Sequence, residues 1–264
     1  EELIEGLCEN IHLEKNANIL IFLSHHSKAQ ILIDNIVFTS EIPFENSKPV
    51  TLDKNDEFVC FISDFAKEIQ DNIIEDRDPK KEIKTDLQNR DKLDRNNNHN
   101  TSDDELMPPE LKEINQAFRS IKIIGQIVKN QQGDFEKEKL VELVEAAYSA
   151  SFRYVGFFSE MLIKDKELLI EAITEDIKEI TKDDKAIIEK SVKQFLQYIS
   201  WRVCMDSFTG LMFSVGTKGR NELYETVASK MGSTAAKMVT FAIKSYYEKI
   251  SIEELKQLFK ETEN

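Results

Sequence analysis

The sequence predicts an all-α fold, either an antiparallel helical bundle or a short α-solenoid, interrupted by a charged, Asn-rich insert. Apolar residues recur at steps of three and four through most of the chain, which is the spacing of one helix face. The 264 residues include only eight Gly and five Pro, fewer than the tight turns of an all-β fold require. With 41% apolar residues, the chain is long enough to bury a substantial core.

A stretch of low apolar content divides the chain. Residues 75–107 are dense in charge and Asn, so burial cannot offset the entropy cost of ordering them. We predict a flexible charged linker there, between an N-terminal helical subdomain at 1–74 and a C-terminal helical domain at 108–264. The acidic run at 103–105 lacks the spacing and the central Gly of a Ca²⁺-binding loop, and it predicts solvated charge.

The N-terminal subdomain is predicted to contain three or four helices. Residues 19–23 and 29–38 predict a helical pair, with Ser27 as a candidate cap, although their richness in Ile leaves a buried strand as the alternative. Asp53 is the expected N-cap of a further helix. That helix would carry an apolar stripe of Phe58, Phe61, Ile62, Phe65, Ile69 and Ile73.

The C-terminal domain is predicted to contain about seven helices with short joints. Gly125 lies on the apolar stripe of the first of these helices, where it would let a neighbouring helix approach closely. Gly133 is expected to end that helix and Asp134 to begin the next. Ser251 and Glu254 have capping-box spacing. The intervening helices are expected near 140–162, 168–180, 187–213, 223–231 and 234–250.

Composition favours a protein partner over nucleic acid. Asp and Glu outnumber Lys and Arg by 49 to 35, which gives a formal charge of −14 and repels phosphate backbones. Cys8, Cys60 and Cys204 are far apart among apolar neighbours, a pattern typical of buried free thiols in a reducing cytoplasm. No apolar run reaches the roughly 18 residues that span a bilayer. We therefore expect a cytoplasmic protein that makes interdomain or homo-oligomeric protein contacts, with no membrane contact and no cofactor.

Two groups of residues are candidates for a catalytic or ligand-binding role. His25 and His26 are adjacent, so on a helix they point about 100° apart and cannot share a metal as an i, i+4 pair does. Lys218 and Arg220 follow Gly216 in a loop that lacks the P-loop pattern. The simpler interpretation is that Gly216 ends one helix before another begins.

An aromatic group is the candidate interaction surface. Phe152, Tyr154, Phe157 and Phe158 fall within seven residues of one predicted helix. Aromatic side chains often anchor protein interfaces, while the alternative is that they belong to the core.

One region resembles a known family. Residues 18–30 read NILIFLSHHSKAQ, and Ile33-Asp34-Asn35-Ile36 follow. This region resembles the helical segment that lies C-terminal to the nucleotide-binding module of large bacterial STAND-type NTPases, and the acidic insert and the helix after it are similar in arrangement. The resemblance covers most of the chain but includes no Walker residues, so no nucleotide site is transferred. It implies a regulatory or sensing segment of an antiviral defence protein, with the ATPase elsewhere.

These observations favour a non-catalytic helical regulatory or interaction segment. The chain opens Glu-Glu-Leu-Ile without an initiator Met, and we expect it to be part of a longer polypeptide. Two alternatives remain open: a metal-dependent helical hydrolase or transferase, and a peptide-binding helical scaffold. The sequence does not decide whether the chain is an enzyme.

Overall fold

The structure is a computed structural model that describes residues 2–26, 30–63, 107–130, 136–180 and 184–262. These residues form eleven helices and no strand, which confirms the predicted all-α fold. In chain order the helices are α1 (Glu2–Glu9), α2 (Glu14–His26), α3 (Gln30–Glu41), α4 (57–63), α5 (Pro109–Asn130), α6 (Lys137–Lys164), α7 (Lys166–Ile180), α8 (Lys185–Val215), α9 (Asn221–Met231), α10 (Thr234–Tyr247) and α11 (Ile252–Thr262). The strand alternative for the Ile-rich runs is wrong, because those runs lie in α2 and α3.

Three long helices form the centre of the molecule. α5, α6 and α8 contact one another. α2 packs on α5, and α3 packs on both α5 and α6. α9 packs on α6 and α10, while α10 also contacts α8. α7 packs against α8, and α11 packs against α10.

One apolar core joins both sides of the predicted linker. Ile11, Leu20 and Ile36 from the N-terminal part of the chain share a cluster with Ile124 of α5 and Val144 of α6, and all five are fully buried. The predicted domain boundaries stay a prediction, and most of the 75–107 linker lies outside the described residues. The described segments on either side of it nevertheless pack around a common core.

Two glycines allow backbones to meet. A Cβ on Gly125 would overlap the carbonyl group of Ser214 on α8, so the close helix approach expected at this position is confirmed. A Cβ on Gly156 of α6 would overlap the carbonyl of Lys48 in the loop after α3. Any larger side chain at either position must displace backbone.

The loop between α3 and α4 is fixed by one carboxylate. Asp56 accepts hydrogen bonds from the backbone N–H of Thr51 at 2.7 Å, of Leu52 at 3.1 Å and of Phe58 at 2.9 Å. Asp56 is therefore the cap of α4, and the prediction that Asp53 would cap it is wrong. Asp53 instead accepts from the N–H and hydroxyl of Thr234, which ties the loop to the start of α10.

The predicted helix ends are confirmed at two places. Glu254 accepts from the backbone N–H of Ser251 at 2.8 Å while its own N–H donates to the Ser251 hydroxyl at 3.2 Å, as a capping box requires. Gly216 follows the last residue of α8, and its N–H donates to Met212 at 2.9 Å. α10 ends at Tyr247, short of the expected residue 250, because Glu248 is extended.

Several predicted details lie outside the described residues. These are the cap at Ser27, the helix joint at 133–134, the acidic run at 103–105, and the stripe positions Phe65, Ile69 and Ile73.

Candidate interaction surface

α7 and the first part of α8 form a helical hairpin, here called the arm (166–180 with 185–197). The arm has a small core of its own, in which Leu162 of α6 packs with Ile188, Val192 and Leu196. α4 reaches the same core through Phe61. The Gln197 side chain, itself 3% exposed, donates to the carbonyl of Phe61 at 2.7 Å and joins α8 to α4. The inner face of α8 is therefore fully occupied.

The opposite face of α8 carries large apolar side chains into solvent. Ile187 is 64% exposed, Phe195 55%, Tyr198 44% and Met205 41%. We call these four residues the α8 stripe. At 3.6 residues per turn, Ile187, Tyr198 and Met205 lie within about 20° of one another around the helix axis, and Phe195 lies about 60° from Tyr198. The stripe covers 19 positions of the helix, so it is roughly 27 Å long.

The middle of the stripe is aromatic. The rings of Tyr198 and Trp201 lie 6.3 Å apart between centroids, close enough to interact. Next to them, Nε of Arg202 donates to Asp206 at 3.0 Å in an ion pair whose side chains are about half exposed. A surface pair of this kind contributes little to stability.

The four predicted aromatic residues do not form one surface. Phe152 is 1% exposed and packs between Tyr148 and Phe208, so its assignment to an interaction surface is wrong: the position falls on the core face of α6. Phe158 packs against the core of the arm.

Tyr154 and Phe157 are half-buried against the loop after α3. Phe44 stacks on Phe157 with 4.7 Å between ring centroids and lies 5.8 Å from Tyr154, which also meets Phe118 edge-on at 5.0 Å. Burial of the Tyr154 hydroxyl raises its pKa. These rings hold a loop in place within the chain.

Arg153 fixes the same loop from α6. Its guanidinium donates to the carbonyls of Ser40 at 2.7 Å and Pro43 at 3.3 Å, at the end of α3. Burial lowers the pKa of Arg153, while Glu41 opposes that shift. Phe44, which follows these carbonyls, has a positive φ of 56°. Strained backbone of this kind persists only where the surroundings fix it, as they do here.

The remaining candidate residues do not form one site among the described residues. Lys218 is exposed and Arg220 half-buried in the turn between α8 and α9, the position expected of a simple helix joint. α2 ends at His26, and the side chains of His25 and His26 lie outside the described part of the structure.

The cysteines differ in accessibility. Cys8 and Cys204 are buried, and burial raises their thiol pKa values to about 11 and about 12. Cys60 is exposed on α4, so its predicted burial is wrong. Its outward position follows from the register of α4, in which Phe58 and Phe61 face inward.

Within the described ranges, no three His, Cys, Asp or Glu side chains are grouped so that they could hold a metal ion. None of the helices in these ranges is long and apolar enough to cross a membrane.

One open cleft of about 460 Å³ lies between α9, α10 and α11. Lys237 and Lys244 line it together with Glu225 and Glu254. Nζ of Lys244 lies 2.8 Å from the Glu254 carboxylate, so the charge of Lys244 is neutralised within the wall of the cleft.

Comparison of the chain with family models, curated proteins and solved structures finds no match. The arrangement of its own residues is therefore the basis for assigning a function.

The α8 stripe was not predicted from the sequence, which indicated only a helix near 187–213. The available signal was that apolar residues occupy more of the helix circumference than one face: Ile187, Tyr198 and Met205 lie about 80° or more around the axis from Ile188, Val192 and Leu196.

Proposed function

We propose that this chain is a non-catalytic helical interaction module that binds a protein through the α8 stripe. The observation that carries the proposal is the exposure of Ile187, Phe195, Tyr198 and Met205 on the face opposite the core. Single exposed apolar residues are common on protein surfaces, but a group of them along one side of a helix is typical of an interaction site.

The composition of the stripe supports this role. Tyr and Trp are enriched among residues that dominate binding energy, and Met adapts to irregular partner surfaces. Covering one large apolar side chain contributes roughly 1.5–3 kcal/mol when burial is complete. Covering four half-exposed side chains would therefore supply about 3–6 kcal/mol, which offsets part of the entropy cost of association.

Local charge supports a protein partner as well. α8 carries Lys185, Lys190, Lys193 and Arg202 against Glu189 and Asp206, whereas the whole chain has a formal charge of −14. α8 is thus locally cationic on an otherwise acidic molecule. A locally cationic helix favours a partner surface that carries carboxylates.

We further propose that this module is the regulatory or sensing segment of a STAND-type NTPase. The resemblance of residues 18–36 to the helical region of that family supports this assignment. The test is to read the open reading frame on both sides of the chain. A Walker A motif upstream is the expected result, and a frame that encodes this chain alone would contradict the assignment while leaving the interaction module intact.

Affinity purification tests the interaction itself. The tagged chain with Phe195→Ser and Tyr198→Ser is compared with the wild type and with a Phe38→Ser control, whose side chain is 65% exposed on α3. We expect a polypeptide that copurifies with the wild type and the control to be lost from the double variant. Equal recovery with all three proteins would overturn the proposal.

A further inference from the structure

We infer that a cleft between α6 and the loop before α4 binds an aliphatic ammonium group, the group carried by free polyamines and by lysine side chains. The cleft encloses about 380 Å³, within the usual range of roughly 300–1,000 Å³ for small-ligand sites. The loop forms one wall, and one face of α6 forms the other, with Gly156, Ser159, Glu160 and Ile163. The described lining includes no residue of α8, so the inference goes beyond the α8 stripe and does not depend on it.

Ser159 brings an unused hydroxyl group to the cleft. The residue is only 5% exposed and lines the cleft, and its hydroxyl makes no hydrogen bond to another described residue. By contrast, the hydroxyl of Ser151 on the same helix lies 2.9 Å from that of Ser207, and Ser200 donates to the carbonyl of Leu196 at 2.9 Å. Buried polar side chains are nearly always paired in folded proteins, so an unpaired one at a cavity indicates a position for a ligand.

The charge of the lining favours a cation. Asp56, Glu57 and Glu160 line the cleft, and among the described lining residues Lys48 is the one cation. The donors that an anion would need are already engaged, because the Asp56 carboxylate accepts from three backbone N–H groups at this end of α4. The formal charge of −14 on the whole chain adds to the attraction for a positively charged ligand.

The acceptors at the cleft match the donors of an ammonium group. An ammonium ion on an alkyl chain has three N–H donors and no acceptor. The hydroxyl oxygen of Ser159 and the carboxylates of Glu57 and Glu160 supply three acceptors. Oε1 of Glu160 accepts from the backbone N–H of Lys48 at 3.1 Å, which holds this carboxylate at the wall of the cleft.

The apolar part of the cleft is preformed. Val50 and Phe58, which are 4% and 2% exposed, line it and provide apolar surface for the methylene groups of an alkyl chain. The N–H of Val50 donates to the carbonyl of Phe152 at 3.1 Å, and the carbonyl of Lys48 lies against Gly156. The two walls are thus joined at two points. A site that is already fixed loses little entropy when a ligand binds.

An NMR titration of the full chain provides the first test. The probes are 1,5-diaminopentane and the uncharged 1,5-pentanediol of the same length. We expect the diamine to bind with a dissociation constant of about 1 mM or lower and to shift the amide signals of Thr51, Gly156 and Ser159, while the diol binds at least about tenfold more weakly. Absence of saturable shifts at about 10 mM diamine, or equal binding of the diol, would overturn the inference.

Two carboxylate variants test the contacts with the ammonium group. Glu57→Gln and Glu160→Gln remove a charge at exposed positions but keep an acceptor oxygen, so both variants should fold as the wild type does. Each should weaken diamine binding about five- to tenfold, as loss of a hydrogen bond to a charged group does.

Glu138→Gln is the matched control for the carboxylate variants. It removes the same charge from an exposed position of α6, 22 residues before Glu160 and therefore roughly 33 Å away along the helix. That distance exceeds the Debye length of about 8 Å at physiological ionic strength, so affinity for the diamine should not change. Equal losses in the control and the carboxylate variants would indicate diffuse attraction to an acidic surface and overturn the inference.

Ser159→Ala tests the hydroxyl group separately. Because the hydroxyl has no partner among the described residues, its removal should leave the midpoint of urea unfolding unchanged while diamine binding weakens about fivefold. Wild-type affinity in this variant would overturn the inference. A large loss of stability would show that the hydroxyl has a partner within the chain, and it would overturn the inference as well.

Nα-acetyl-lysine N-methylamide distinguishes the two sources of the ammonium group. Tighter binding of this compound than of 1,5-diaminopentane assigns the cleft to a lysine side chain of a polypeptide, and the reverse order assigns it to a free polyamine. Both results retain the ammonium site. The double variant with Phe195→Ser and Tyr198→Ser should bind the diamine as the wild type does, so the cleft and the α8 stripe can fail independently.

Discussion

Gly125 of α5 lies directly against the backbone carbonyl of Ser214 on α8, at a separation that leaves no room for a methyl group. The contact sets how closely two of the three central helices approach. It also aligns α8 so that one face enters the core and the other is left in solvent.

Substitution of Gly125 should therefore be costly for a steric reason. Gly125→Ala is expected to lower the free energy of unfolding by about 1–3 kcal/mol, as overpacking of a close helix contact does. Gly210 of α8 provides a matched control, because a Cβ there meets nothing within 4 Å. Gly210→Ala should raise stability by roughly 0.5–1 kcal/mol through helix propensity. Urea unfolding of both variants measures the difference, and equal effects would refute the packing argument.

Asp56 should be the most sensitive residue of the loop before α4. Its carboxylate accepts from Thr51, Leu52 and Phe58, so Asp56→Ala leaves partly buried backbone N–H groups without their acceptor. We expect a loss of about 1–3 kcal/mol in unfolding free energy. Glu57→Ala, at the adjacent exposed position, should change it by less than about 0.5 kcal/mol. Thermal unfolding compares the two, and a smaller loss in the Asp56 variant than in the control would contradict this role.

The attachment of α11 should depend on pH. Hydrogen bonding to Lys244 and Ser251 lowers the pKa of Glu254 from 4.5 to about 2. A carboxyl group whose pKa is lower in the folded state stabilises that state above its unfolded pKa, and the stabilisation is lost as pH falls through the folded pKa. α11 should therefore loosen between about pH 4.5 and pH 2.

Amide hydrogen exchange of α11 measures this loosening. Glu254→Gln should show fast exchange at every pH in this window, with little further change on acidification. The exposed Glu253→Gln variant is the control and should behave as the wild type does. An unchanged pH profile in the Glu254 variant would show that another group is responsible.

One of the three thiols should react in the native protein. Cys60 is exposed, whereas burial holds the pKa of Cys8 at about 11 and of Cys204 at about 12, so both remain protonated and shielded at pH 8. Titration with Ellman's reagent should give one fast thiol in the native state and three after unfolding. The Cys60→Ser variant should give none in the native state, and a fast thiol remaining there would contradict the assigned burial.

The sequence predicted the helices well because local spacing determines them. Spacing within a few residues was enough to predict the apolar face of α5, the capping box at Ser251 and the close helix approach at Gly125. The cap of α4 was predicted to be Asp53 because two acidic residues three positions apart both suit an N-cap. The contact with Thr234 shows that Asp53 instead serves α10. That contact joins positions far apart in sequence, which no local pattern reveals.

The interaction surface was harder to predict for a related reason. Phe152 and Tyr198 are both aromatic residues on long helices, and their sequence neighbourhoods do not indicate which one a neighbouring helix covers. Phe152 faces α8 and is buried, while Tyr198 faces away from the core. Tertiary packing decides between them.

A photo-cross-linking scan along α8 tests the central claim most directly. A benzophenone side chain is placed in turn at the outward positions 191, 195, 198, 202 and 205, and at the exposed positions 189 and 193 on the other side of the arm. The account predicts high yields of protein adduct at the first five and low yields at the last two. Uniform yields around the helix, or no adduct at any outward position, would contradict it.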